Sequence, residues 1–198
     1  NPGKITFVNQ NAAAHVSGVL FEKATGQKVQ FIPYRGAGPA MTDLVSGQVD
    51  LLVVQAAVRF LLCDAVRRDR LKPADPEQPE LCSGYIVLAM GKMGAFELNY
   101  SSDIDLIVFF DPDAPAIPED TDPSSLYIRV TRGLVKLLQE RTGDGYVFRV
   151  DLRLRPFGES GPLVVSFGAF EEYLQNHGRD WERYAWIKAR AITGAGLY

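Results

Sequence analysis

Residues 91–111, GKMGAFELNYSSDIDLIVFFD, indicate both the fold and the chemistry of this chain. Carboxylates and apolar residues alternate from position 103 and then give way to a continuous apolar run, which predicts a buried strand over 103–110. Side chains alternate between the two faces of a strand, so Asp103 and Asp105 point the same way while Ile104 points into the core. The stretch therefore predicts two carboxylates side by side at the start of a strand.

Two adjacent carboxylates repel each other unless a cation neutralises them, and their hard oxygen ligands suit Mg²⁺ or Mn²⁺. Ser102 comes directly before the pair. A turn further upstream contains Gly91 and Gly94, whose small size allows the backbone to approach a phosphate closely. Lys92 either binds the same phosphate or is solvated. On spacing alone, structural pairing with arginines explains such a motif more readily than catalysis does.

A second predicted strand, over 146–154, offers a third carboxylate. One of its faces is apolar, and the other carries Asp151 among Arg149, Arg153 and Arg155. We expect Asp151 to complete the metal site, and Arg153 and Arg155 to grip phosphate oxygens through paired donors. Cations bridged by such acids orient a nucleophile and offset charge on an attacked phosphorus. The predicted catalytic and metal-binding residues are Asp103, Asp105 and Asp151.

Short apolar runs and helical stretches alternate along the rest of the chain, which predicts a mixed α/β fold in two parts. Residues 1–55 form a β-α-β-α-β pattern that favours a parallel sheet with right-handed crossovers. Residues 56–198 form the second domain, with its core over 84–190. The predicted strands are 5–8, 29–34, 49–54, 85–90, 103–110, 146–154 and 163–166, and the predicted helices are 12–25, 39–46, 56–71, 124–141, 169–176 and 181–191.

Composition excludes several classes of protein. With 46% hydrophobic and 23% charged residues, the chain is neither disordered nor fibrous. A net charge of -3 lacks the basic excess that general nucleic-acid binding needs, so we expect no nucleic-acid partner. No apolar run is long enough to span a membrane, so we expect no membrane partner. Cys63 and Cys82 lack metal-site spacing and are expected to be reduced thiols. Oligomeric state is not indicated.

Three stretches strongly resemble the family of the bifunctional glutamine synthetase adenylyltransferase/adenylyl-removing enzyme. They are residues 91–111, FRVDLRLRPFGESGPLVVSFGAFEEY at 148–173, and GRDWERYAWIKARAI at 178–192. Their wording looks like the N-terminal, adenylyl-removing domain, which has the nucleotidyltransferase fold. The resemblance extends from about residue 56 to the end of the chain.

This resemblance implies phosphorolysis, in which inorganic phosphate attacks the adenylyl group on a glutamine synthetase tyrosine and releases ADP. The reverse adenylylation is the alternative direction. Mg²⁺ or Mn²⁺ would be the cofactor, adenine nucleotide and phosphate the small substrates, and glutamine synthetase the protein substrate. A cytoplasmic location is implied for this part of the chain. By motif position, the metal ligands implied are Asp103, Asp105 and Asp151.

Residues 1–55 instead resemble part of the periplasmic solute-binding receptors of tripartite tricarboxylate transporters. The stretches that carry this resemblance are NPGKITFVNQ at 1–10, HVSGVLFEKATG at 15–26 and FIPYRGAGPAMTDLVSGQVDLLVV at 31–54. Residues 36–39 either present N–H groups to a carboxylate or simply begin a helix. The two resemblances together predict a chimera joined near 54–57. Three functions stay open: adenylyl transfer, an inactive chimera, and carboxylate binding.

Overall fold

The computed structural model describes residues 5–9, 29–33, 48–99, 102–142 and 146–193. Short 3-10 helices cover Pro79–Leu81, Gly158–Ser160 and Trp186–Lys188. The strands are β1 Ile5–Asn9, β2 Val29–Pro33, β3 Tyr85–Ala89, β4 Ile104–Phe110, β5 Val150–Asp151, β6 Val165–Ser166 and β7 Arg190–Ala191. The helices are α1 Gln48–Arg67, α2 Gly91–Gly94, α3 Pro123–Gln139, α4 Phe167–Asn176 and α5 Asp180–Ala185.

A mixed sheet organises the larger described part of the chain, with β4 at its centre. β3 runs antiparallel to β4 on one side and also pairs antiparallel with β7. On its other side β4 pairs in parallel with two short strands, β5 near its start and β6 near its end. The predicted mixed α/β fold class is confirmed, and the strands predicted at 85–90 and 103–110 are confirmed within one residue at each end.

Both faces of β4 are covered, which explains its nearly continuous apolar sequence. Leu106 and Val108 belong to the main core, which includes residues of α1 and α3. Ile107 and Phe109 belong to a smaller cluster on the other face, where Phe170 of α4 packs. Strand residues alternate between faces, so Asp105 lies on the side of the smaller cluster. The start of β4 therefore presents its carboxylate away from the helices that form the main core.

The prediction of a third strand over 49–54 is wrong, because those residues lie in α1. Periodicity alone does not separate a short apolar run from a buried helix segment. Val54, Val58 and Leu62 are fully buried at helical spacing, and they pack in the main core. The join predicted near 54–57 lies inside this helix, and the boundary at residue 55 stays a prediction.

The described part of residues 1–33 contains two strands. β1 and β2 pair in parallel, with Ile5 opposite Val29, as the β-α-β pattern predicts. The helices predicted over 12–25 and 39–46, and residues 36–39, lie outside the described residues. The likeness to a solute-binding receptor therefore stays a prediction.

Two further predicted elements are shorter than expected. The strand predicted over 146–154 is reduced to β5, because the Asp151 carboxylate accepts a hydrogen bond of 2.8 Å from the backbone N–H of Arg153 and turns the chain. The helix predicted over 181–191 ends at Ala185, and Arg190 then pairs with Ala89 of β3. Because Arg190 and Ala191 form an edge strand beside β3, they are not part of the helix. Among the described helices, none is both long and apolar enough to cross a membrane.

The helix predicted over 124–141 is confirmed as α3. Asp122 caps it by accepting a hydrogen bond of 2.8 Å from the backbone N–H of Ser125. Pro123 occupies the first helical position, where the missing N–H has no cost. Leu126, Val130 and Leu134 are buried at helical spacing and fix α3 against the main core.

Candidate active site

The parallel pairing of β4 with β5 brings the predicted carboxylates together. Asp105 lies directly opposite Asp151 in the register of the two strands. The backbone N–H of Ile104 donates to the carbonyl of Arg149 at 2.8 Å, which holds this register. Asp103 sits just before β4, on the same side as Asp105. All three aspartates line one cleft of about 420 Å³, together with Gly91, Lys92, Ser102 and Arg149.

Asp105 lies between two like charges in the cleft. Partial burial raises the pKa of its carboxyl, and the negative charges of Asp151 and Asp103 raise it further. Arg153 and Lys92 offset only part of this effect. Within the described part of the chain, Asp105 makes no ion pair of its own. A cation placed among these carboxylates would relieve the repulsion, so the donor chemistry fits a divalent metal ion.

The other two carboxylates each face an arginine. Arg149 donates through Nε to Oδ1 of Asp103. Arg153 donates through Nε to both oxygens of Asp151, at 3.1 and 2.9 Å, and this hydrogen bonding lowers the pKa of Asp151. Among the described residues, no three potential ligands have the spacing to hold a metal ion as they stand. Binding of one metal ion by all three carboxylates would therefore require their side chains to move closer together.

The two glycines of α2 have different positions. Gly91 has a φ of 53°, and a Cβ there would lie 3.0 Å from Oδ2 of Asp105, so its lack of a side chain leaves room for that carboxylate. Gly94 is buried, and a Cβ there would lie 1.9 Å from the carbonyl oxygen of Lys188 and 2.6 Å from that of Ala89. Only Gly91 lines the cleft. Gly94 instead allows the turn to pack closely against β3 and the 3-10 helix Trp186–Lys188.

Lys92 and Ser102 lie beside the carboxylates, as the sequence predicts. Lys92 reaches across from α2, and its Nζ donates to Oγ of Ser102 at 3.3 Å. Both side chains line the cleft. They therefore place one positive charge and one hydroxyl next to the three aspartates.

The arginines following the strand are arranged differently from the sequence prediction. Arg155 donates to the carbonyl oxygens of Leu152 at 2.7 Å and Glu159 at 3.2 Å, and it does not line the cleft. Arg155 therefore braces the loop after β5. Arg149, to which the sequence pattern assigns no role, lines the cleft. Its signal was available, because it lies two residues before Asp151 on the same strand face.

Residues near the end of the described chain contact the α2 turn on the side away from the cleft. Nε of Arg190 donates to the carbonyl oxygen of Gly94 at 2.9 Å, and its guanidinium lies 4.0 Å from the centre of the Phe96 ring. Nζ of Lys188 bonds Oε2 of Glu97 at 2.7 Å. Phe96 is packed against the main core despite its positive φ of 60°. These contacts fix the turn that carries Gly91 and Lys92.

Comparison with known proteins identifies the family. The family model described as glutamate-ammonia ligase adenylyltransferase matches residues 41–196. The chain belongs to this adenylyltransferase family. The resemblance expected from the motifs at 91–111, 148–173 and 178–192 is thereby confirmed.

Over the aligned region, relatives in this adenylyltransferase family are identical to the chain at about half of the positions. Proteins named bifunctional glutamine synthetase adenylyltransferase/adenylyl-removing enzyme are 56% identical over 155 residues in Bradyrhizobium sp. (strain ORS 278) and 54% identical over 161 residues in Bradyrhizobium diazoefficiens. The one from Mesorhizobium japonicum is 52% identical over 161 residues. These matches cover 78 to 80% of the chain and 15 to 16% of each relative. The chain thus spans about a sixth of the length of these adenylyltransferases.

The adenylyltransferase match includes every residue that the sequence assigns to the site. It also begins before residue 55 and contains all of α1. The three aspartates, the α2 turn and the loop braced by Arg155 therefore all lie in the part of the chain that carries the family relationship.

Proposed function

We propose that the chain carries a metal-dependent adenylyl-transfer site of the nucleotidyltransferase type. One observation carries the proposal: Asp105 and Asp151 face each other on neighbouring parallel strands, Asp103 directly precedes the first of them, and all three line one cleft with Lys92 and Arg149. Membership of the adenylyltransferase family and the mixed sheet support it. Adenylyl transfer needs mostly positioning and charge neutralisation, and this set of acidic and basic side chains offers both.

The reaction proposed is removal of AMP from a tyrosine of adenylylated glutamine synthetase. An oxygen of inorganic phosphate forms a bond to the adenylyl phosphorus, and the bond from that phosphorus to the tyrosine oxygen breaks. The proton of the attacking hydrogen phosphate ends on the tyrosine oxygen, so the products are ADP and free tyrosine. Adenylylation of the same tyrosine from ATP, with release of pyrophosphate, is the opposite direction of group transfer at the same kind of site.

The residues of this chain have separate tasks in the proposal. Asp103, Asp105 and Asp151 would hold Mg²⁺ or Mn²⁺, which would offset the negative charge of the phosphoryl oxygens. Lys92 and Ser102 lie at the same cleft and would bind phosphate oxygens. Arg153 would orient Asp151 through its paired donors. Gly91 leaves space for the Asp105 carboxylate at the centre of the site.

The site residues predicted from sequence differ in how the proposal uses them. Gly91, Lys92 and Ser102 stay as candidates for nucleotide or phosphate contact, since they line the cleft. Gly94 and Arg155 are now proposed to shape the turn and the loop around the site, because both make close contact with backbone carbonyl groups. The protein substrate, the direction of the reaction and the cytoplasmic location stay predictions.

The experiment is a product assay on the 198-residue chain. The chain is incubated with adenylylated glutamine synthetase, inorganic phosphate and Mg²⁺, and ADP is measured by anion-exchange chromatography. We expect ADP to form only with the metal present, and the Asp105→Asn variant to lower the rate by about 100-fold, since metal ions supply several kcal/mol of charge stabilisation. The matched control is Asp120→Asn, an exposed aspartate in the loop before α3.

Two results would contradict the proposal. One is a folded chain that forms no ADP and, supplied with ATP and unmodified glutamine synthetase, transfers no AMP either. The other is ADP formation that Asp105→Asn and Asp120→Asn change equally. Formation of pyrophosphate from ATP without ADP release from the adenylylated protein would instead assign the adenylylating direction.

A further inference from the structure

Two aspartates of the cleft are held by arginines that differ in how firmly they are fixed. The Arg149–Asp103 pair is half-exposed on both sides, at 52% and 45% of the side-chain surface. In the second pair Asp151 is only 15% exposed and accepts three hydrogen bonds from the side chain of Arg153 and one from its backbone N–H. An exposed ion pair contributes little and exchanges partners readily. Arg153 is itself 67% exposed, but Asp103 is three times as exposed as Asp151, so the Arg149 pair costs less to open than the Arg153 pair.

We propose that Arg149 is an exchangeable arginine that neutralises Asp103 in the metal-free chain and binds a phosphate oxygen of the nucleotide once a divalent cation occupies that carboxylate. The proposal rests on the function proposed above, and it assigns to Arg149 a binding role in that site. It follows from position: Arg149 lines the same cleft as Lys92 and all three aspartates. A guanidinium with paired donors matches phosphate geometry.

The neighbouring arginines are less suited to this exchange. Arg153 is tied to Asp151 through both its side chain and its backbone, and this turn ends β5. Arg155 directs its donors to carbonyl oxygens of its own loop. The guanidinium of Arg149 also donates a side-chain hydrogen bond to the oxygen of Tyr146, so it would leave this contact as well as Asp103 when it turns towards a phosphate.

The exchange predicts changes of opposite sign when Arg149 is replaced. In the metal-free chain Arg149 competes with the cation for Asp103, so Arg149→Gln should bind Mn²⁺ more tightly. An exposed ion pair contributes little to stability, so the expected increase in Mn²⁺ affinity is only about 1.4- to 5-fold. With Mn²⁺ bound, the same variant should bind ADP about ten-fold more weakly, because a charge-assisted hydrogen bond to phosphate is lost. If Arg149 had only a structural role, its replacement would weaken the binding of both Mn²⁺ and ADP.

The test measures both affinities on the complete chain. Mn²⁺ binding is followed by electron paramagnetic resonance of the free ion at low ionic strength, and ADP binding by equilibrium dialysis at saturating Mn²⁺. The variants are Arg149→Gln and Arg149→Lys, which retains the charge but has no paired donors. Arg68→Gln is the matched control, since Arg68 forms an exposed ion pair with Asp64 on α1 at 2.8 Å, outside the cleft. Circular dichroism checks that each variant is folded.

Each outcome decides one claim. Tighter Mn²⁺ binding and weaker ADP binding by Arg149→Gln, with intermediate ADP affinity for Arg149→Lys and no change for Arg68→Gln, is the expected result. Unchanged or weaker Mn²⁺ binding by Arg149→Gln overturns the exchange while leaving the metal site intact. ADP affinity of Arg149→Lys equal to that of the unaltered chain overturns the role of the paired donors. Absence of Mn²⁺ binding by the unaltered chain overturns the proposed function itself.

Discussion

Replacing Asp105 by asparagine is expected to stabilise the metal-free protein. Neighbouring strands lie about 4.8 Å apart, so the carboxylates of Asp105 and Asp151, which are paired in register, are held at a comparable separation. Two like charges 5 Å apart repel by about 0.8 kcal/mol at the dielectric constant of water and about 3 kcal/mol at an effective value of 20. Arg153 offsets part of this repulsion and Asp105 is half-buried. We therefore expect a gain of about 1 kcal/mol, or about 3 °C in Tm for a chain of this length.

The pH dependence of this gain follows from the raised pKa of Asp105. The folded protein favours the protonated carboxyl, so Asp105 costs no stability below the ordinary aspartate pKa of about 3.9. Stability is lost as the pH rises through the raised pKa of the folded state. The advantage of Asp105→Asn should therefore be present at pH 7 and shrink as the pH falls towards 4.

Urea unfolding in EDTA, followed by circular dichroism, measures the effect. Asp120→Asn is the control, because this exposed aspartate lies outside the cleft. Addition of Mg²⁺ should reverse the order, since the unaltered protein gains a ligand that binds only its folded state and the asparagine variant does not. Unfolding of Asp105→Asn in EDTA at the same or a lower urea concentration than the unaltered protein would show that the Asp105 carboxylate does not destabilise the metal-free fold.

Three other substitutions test the surroundings of the site. Gly94→Ala should lower the free energy of unfolding by about 2 to 4 kcal/mol, because its Cβ would meet two backbone carbonyls. The control Gly168→Ala, with open space around it in α4, should raise the free energy of unfolding by about 0.5 to 1 kcal/mol. Equal melting temperatures of the two variants would contradict this prediction. Gly91→Ala should weaken Mn²⁺ binding measured by calorimetry, because its Cβ would press on Asp105; unchanged affinity would show that the contact is unimportant. Arg155→Gln should lower the free energy of unfolding in urea by about 1 kcal/mol, while its Mn²⁺ affinity changes by less than about two-fold. A large loss of Mn²⁺ affinity would instead show that Arg155 contributes to the metal site.

The central elements of the fold could be predicted because local pattern and packing agree there. β4 is apolar on both faces and is covered on both, and α3 has a capping aspartate, a proline at its first position and buried residues at helical spacing. β5 and β7 could not be placed in the same way. Each is two residues long and is defined by pairing with a distant strand, which no local pattern encodes.

The strand predicted at 49–54 also shows that a local sequence pattern does not determine secondary structure by itself. Its apolar residues fit a strand and a buried helix equally well, and packing of Val54 and Val58 in the main core selects the helix. The predicted helix over 181–191 failed at its end because Arg190 pairs with β3 and also binds the carbonyl of Gly94. In both cases tertiary contacts overrode the local preference.

The sequence predicted the carboxylates of the site more completely than its arginine side chains. Strand alternation puts Asp103 and Asp105 on one side, and parallel pairing brings Asp151 opposite. Arginine side chains are long, and the direction of each is set by the nearest acceptors. Carbonyl oxygens of the following loop hold Arg155, whereas Asp103 draws Arg149 into the cleft. The sequence showed arginines on the correct face but could not tell which of them enters the site.

Anomalous diffraction from crystals grown with Mn²⁺ and ADP tests the central claim most directly. We expect a manganese peak in the cleft, with oxygens of Asp103, Asp105 and Asp151 about 2.0 to 2.6 Å from the metal, and the ADP phosphates beside Lys92 and Arg149. A manganese peak elsewhere on the protein, or ADP bound with the cleft carboxylates still paired to their arginines and no metal between them, would contradict it.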